Sequence, residues 1–133
     1  MTGIGEALPE LRIEVTPTFV ISTALATRDF QDVHHDRDSA VVRGSKDIFL
    51  NILTDTGLVQ RFVTDWAGPN ALVRNISIRL GVPCYAYDEL VFSGRVAQRV
   101  DDTAFVVEVV GRNSLGDHVT GTVAITLPSA VTG

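Results

Sequence analysis

The chain has 133 residues, enough to bury one core but too few for two, so a single domain over 1–133 is expected. It is 45% hydrophobic and 20% charged, a globular composition rather than a disordered or fibrous one. The formal net charge of −5 argues against a nucleic-acid partner, which normally meets a basic patch; the single cysteine, Cys84, excludes an internal disulfide framework.

MTGIGEALPELRIEV at the start carries no positively charged leader and no long apolar run. The expectation is a cytoplasmic protein with no membrane span. Pro9 and Pro17 interrupt this stretch, which reads as an irregular lead-in. TFVISTALA at 18–26 is β-branched and aromatic and reads as the first strand.

The next run, RDFQDVHHDRDSA, sets Asp29 and His34 five positions apart across one polar turn. An imidazole titrates near neutrality, and a neighbouring carboxylate can fix its tautomer or share a water with it, so the two form a candidate acid–base pair. The competing reading is that Asp and His in a polar turn are solvated or capping residues. Adjacent His34 and His35 point in different directions, and no Cys/His cluster has zinc spacing, so no metal site is expected.

Ser45 reads as the N-cap of a helix over 47–64, with Asp47 in its first turn. Ile48, Phe49, Ile52, Leu53, Val59, Phe62 and Val63 recur there at helical spacing and read as a core-facing stripe. Gly57 inside that helix suggests a close backbone contact. Trp66-Ala67-Gly68-Pro69 ends it. Four alternating runs follow, at 72–80, 89–100, 104–112 and 118–127, with turn chemistry between them. Cys84 reads as packing, and His35 and His118 as surface polar residues. One long helix followed by an antiparallel meander predicts an α+β domain, with a curved sheet of about five strands wrapped around the helix.

The turn resembles the hydratase signature of the MaoC-like, R-specific enoyl-CoA hydratases, G-D-x-N-P-x-H followed after five intervening residues by a small one. Asp29, His34 and Ala40 take the Asp, His and small positions; Arg28, Gln31 and Asp32 depart from Gly, Asn and Pro. RLGVPCYAYDELVFSG and VVGRNSLGDHVTGTVAI also look like later segments of that family. Its fold is the hotdog, which the resemblance implies for this chain. It further implies that Asp29 and His34 are catalytic and that backbone N–H groups of the Asp47-Ile48 region hold the enolate oxygen.

STALATRDFQDVHHDRDSA and SKDIFLNILTDTGLVQRFVTDWAGP are similar to the small MaoC-like subunits of actinobacterial hydratases of cholesterol side-chain degradation. The resemblance implies a steroid enoyl-CoA substrate and no cofactor beyond the coenzyme A that the substrate carries. It also implies a larger MaoC-like partner subunit, in a heterotetramer of two plus two. A silent acyl-CoA-binding hotdog and a hotdog thioesterase are the rival readings. The first has no need of the Asp/His pair, and the second would release free CoA thiol.

Overall fold

The computed structural model describes residues 3–128. In chain order they form β1 (Leu11–Val15), α1 (Pro17–Ala26), a 3-10 turn (Asp32–His34), α2 (Arg37–Val42), α3 (Ile52–Ala67), β2 (Leu72–Leu80), β3 (Asp88–Arg99), β4 (Ala104–Asn113) and β5 (Gly116–Thr126). The strands make one five-stranded sheet in the order β1-β3-β4-β5-β2, antiparallel at each pairing. Register shifts at Val73/Asn75, Val96/Gln98 and Gly111/Arg112 add local bend and twist, as bulges do.

The concave side of this sheet covers α3. Leu58, Val59, Phe62 and Val63 of the helix are buried together with Leu90, Phe92, Val96, Val107, Val109, Val119, Val123 and Ile125 of the strands. Phe62 stacks on Phe92 at 6.1 Å between ring centroids. Gly94 makes that approach possible, because a Cβ there would lie 2.9 Å from the Phe62 ring and 2.4 Å from the Glu108 carbonyl oxygen. No helix among the described residues is long and apolar enough to cross a membrane.

Several expectations are corrected. The segment 18–26 is helical: Thr16 accepts a hydrogen bond from the Phe19 N–H at 3.0 Å, and Pro17 opens the helix at the position where its missing N–H costs nothing. Cap and proline outweigh the β-branched composition. The strand expected there lies earlier instead, in β1, where Ile13 and Val15 turn inward between Arg12 and Glu14.

The central helix begins at Ile52 rather than at Asp47, and its N-cap is Asn51 rather than Ser45. The chain before it is extended, because Leu50 donates to the Cys84 carbonyl at 3.0 Å and the Ile48 carbonyl accepts from Ala86 at 3.0 Å. That later start changes the stripe. Ile52 and Leu53 are about half exposed, and the buried face runs instead through Thr54, Asp55, Leu58, Val59, Phe62 and Val63. Gly57 has open space where a Cβ would stand, so no close contact accounts for it.

Candidate active site

Asp29 is delivered by the unwinding of α1. Its N–H donates to the Ala24 carbonyl at 2.9 Å, and Arg28 before it turns left-handed at φ 57°. A glycine suits that conformation best; Arg28, standing where the hydratase signature has Gly, adopts it nevertheless. The Asp29 Oδ1 accepts from the Gln31 N–H at 3.3 Å, and the Asp29 backbone carbonyl accepts from His35 Nε2 at 2.5 Å. His35 is therefore half-buried and part of the turn's scaffold rather than a surface group.

His34 sits in the 3-10 turn with its ring edge against Phe49, centroids 4.9 Å apart. Its Nδ1 lies 2.7 Å from the Phe49 carbonyl oxygen. A carbonyl only accepts, so Nδ1 carries the hydrogen, and in the neutral ring Nε2 is left with the free lone pair. That Nε2 stands 3.4 Å from Asp29 Oδ2, with the histidine side chain 7% and the aspartate side chain 23% exposed. The distance is too long for a good direct hydrogen bond. Two groups so placed can bind one water between them. Ala40 is fully buried in the core, which gives the small position of the motif its steric reason.

The segment bearing Asp47 and Ile48 is not the helix start. The Ile48 N–H donates to the Asp47 carboxylate at 2.7 Å, and the Asp47 carboxylate also meets Arg37 at 3.7 Å. The Ile48 N–H is thus already engaged. What the helix start brings to the site is Asn51, 3% exposed, whose Nδ2 donates to Asp29 Oδ2 at 3.2 Å and to Thr27 Oγ1 at 2.8 Å. Asn51 was legible as the N-cap, an Asn directly before the helical run, but Ser45 competed for the role.

A second Asp/His pair lies elsewhere. His118 and Asp55 are 3% and 0% exposed, so the expectation of a surface His118 is overturned. His118 Nδ1 donates to the Val82 carbonyl at 2.6 Å, and Nε2 meets both Asp55 oxygens at 2.9 Å. Burial raises the Asp55 pKa against the opposing pull of His118. Burial pushes His118 down, but its hydrogen bond to Asp55, the Asp55 charge and the Val82 carbonyl together raise it.

Cys84 is buried and unpaired, and burial above all pushes its thiol up to about 12, which fits packing rather than nucleophilic attack. Among the described residues no three His, Cys, Asp or Glu side chains gather as a metal set.

Known structures share this architecture. The (R)-hydratase from A. caviae involved in PHA biosynthesis superposes with a TM-score of 0.86 over 95% of this chain and 97% of its own, at 19% identity; the sheet-wrapped helix is the hotdog fold of the MaoC-like hydratases. A chain of the ChsH1–ChsH2 complex from Mycobacterium tuberculosis gives a TM-score of 0.93 at 66% identity, covering 96% of this chain and 100% of that one. In sequence, the chain is 67% identical over 127 residues to the 3-oxo-4,17-pregnadiene-20-carboxyl-CoA hydratase beta subunit of Mycobacterium tuberculosis, which covers 96% of this chain and 98% of that protein. This chain belongs to the family of that hydratase beta subunit. No protein-family model matches it.

Proposed function

We propose that this chain is the cytoplasmic, catalytic subunit of an enoyl-CoA hydratase that adds water across the α,β double bond of a steroid side-chain enoyl-CoA. The observation that carries the reading is the Asp29 Oδ2 to His34 Nε2 separation of 3.4 Å, with Nδ1 committed to the Phe49 carbonyl. Nε2 is then the base. It takes a proton from the shared water as the hydroxyl adds to Cβ, and the pair returns that proton to Cα, so that one water is consumed and nothing is released. The coenzyme A belongs to the substrate, and no separate cofactor takes part.

Charge develops on the thioester oxygen as the enolate forms, and fixed donors lower that barrier. The first turn of α3 supplies them. Thr54 N–H is taken by the Asn51 side chain and Asp55 N–H by the Asn51 carbonyl. The N–H groups of Ile52 and Leu53 have no intrahelical acceptor at that position and sit at the positive end of the helix dipole. They replace the Asp47-Ile48 region in this role.

The acyl site is completed by a larger MaoC-like subunit, in a heterotetramer of two plus two. Phe30, Val42, Ile52 and Leu53 expose apolar surface on the turn, on α2 and at the start of α3, the elements that carry the pair and its neighbours. Such surface fits a partner or an acyl chain better than water.

Light scattering and turnover on the chain alone and after co-expression with that partner test the proposal. Full-rate hydration of a steroid enoyl-CoA is expected only from the heteromer, without release of free CoA thiol. A homodimer active at the full rate would refute the partner assignment, and thiol release would make the protein a thioesterase.

A further inference from the structure

We propose that Asn51 is a positioning residue for the hydration, holding Asp29 Oδ2 directed at His34 through its side-chain amide; this rests on the function proposed above. The amide's orientation is forced by its neighbours. On one side it meets the Thr54 N–H at 3.3 Å, a pure donor, so the oxygen must face that way. On the other it meets the Asp29 carboxylate at 3.2 Å, which in its ionised form only accepts, so the nitrogen must face there.

The second amide hydrogen goes to Thr27 Oγ1. That hydroxyl spends its own hydrogen on the Thr23 carbonyl at 2.9 Å, so its oxygen is free to accept. One buried amide thus ties the start of α3, the end of α1 and the reactive carboxylate into a single chain of bonds. The titratable group facing Asp29 Oδ2 is His34 Nε2 at 3.4 Å, and His35 meets only the Asp29 backbone carbonyl; what α3 contributes is neutral.

Two functions of one side chain can be separated, because Asp and Ser cap a helix about as well as Asn but neither donates an amide hydrogen to Asp29. Asn51→Asp keeps the cap and sets a second carboxylate against Asp29. Asn51→Ser keeps the cap and is too short to reach.

The test measures kcat and KM against pH on the complex with its partner, together with the NMR titration of the His34 ring. Asn51→Asp is expected to move the acid limb of kcat/KM and the His34 titration upward by about 1 pH unit or more, as like charges do. Asn51→Ser is expected to lower kcat about tenfold or more with KM little changed. Unshifted titration in folded Asn51→Asp, or wild-type kcat in Asn51→Ser, would reduce Asn51 to a helix cap and overturn the proposal. If Asn51→Asp does not fold, Asn51→Ser decides. If the wild-type complex fails to hydrate, the functional reading fails, and the response of the His34 ring to Asn51→Asp still decides whether Asn51 is coupled to the pair.

Discussion

The molecule contains the same two side chains paired twice, with opposite results. In Asp55–His118 both ring nitrogens are spent, one on the Val82 carbonyl and the other on both carboxylate oxygens at 2.9 Å, and both residues are sealed from water. In Asp29–His34 one ring nitrogen is spent and the other faces a single carboxylate oxygen at 3.4 Å on a partly open turn. The sealed pair has no ring nitrogen left unbonded, whereas the open pair, held from behind through Nδ1, keeps its Nε2 without a close partner. Acid–base chemistry therefore depends on the bond left unmade, and the presence of Asp and His side by side says little until the remaining partners are counted.

The largest effect expected from breaking the comparison is on rate. Asp29→Asn and His34→Ala should each cost about a hundredfold to ten-thousandfold in kcat/KM, and the double variant should cost little more than the worse single one, since groups acting on one water fail as a unit. Losses that multiply would mean the two act in separate steps.

Next in size is the sealed pair. His118→Ala leaves the Asp55 carboxyl buried without its partner and should cost about 3 to 5 kcal/mol in urea unfolding. Both groups bind their protons more tightly folded than unfolded, so stability is greater on the acid side and falls as pH rises. For His118 the contribution is full below the ordinary value of 6.5 and is lost as pH climbs through the raised folded value. Replacing both by neutral amides, Asp55→Asn with His118→Gln, should flatten that slope; an unchanged slope would assign it to other groups.

Smaller effects sharpen the picture of α3. Leu53 is 53% exposed, so Leu53→Ala should cost less than about 1 kcal/mol in the isolated chain, where full burial would bring about 2 to 5. A greater loss in the complex than in the chain alone would mark Leu53 as covered by the partner. Gly57→Ala, with open space for the methyl group, should stabilise the helix by about 1 kcal/mol, as denaturant titration would show.

The contrast between the pairs also explains what could be seen in the sequence. Asp29 and His34 are close along the chain, and one turn is enough to bring them together. Asp55 and His118 are 63 positions apart, and only the wrapping of β5 around α3 joins them, so neither residue carries a local sign of the other. The same distinction holds for the fold. β3, β4 and β5 show their period because one face is wet and the other dry, and β2 shows it because exposed residues alternate with half-buried ones over much of its length. In α1 only Val20 and Ala24 are fully buried, and the apolar residues spread around the helix, so no stripe opposed the β-branched composition; the Thr16 cap and Pro17 were the available signal. Ile52 and Leu53 continue the helical spacing of Ile48 and Phe49, but Ile48 and Leu50 are held extended by bonds to Ala86 and Cys84, which leaves Ile52 and Leu53 in the first, half-exposed turn of α3.

The most direct test crosses the two pairs. Hydration of a steroid enoyl-CoA and urea unfolding would be measured on His34→Ala and His118→Ala in the same complex with the partner subunit. The account predicts that His34→Ala loses at least about a hundredfold in kcat/KM with stability close to wild type, whereas His118→Ala loses stability while the fraction that remains folded retains most of its turnover. Hydration by a folded His34→Ala complex at a rate near wild type would contradict the assignment of the open pair as the catalytic one.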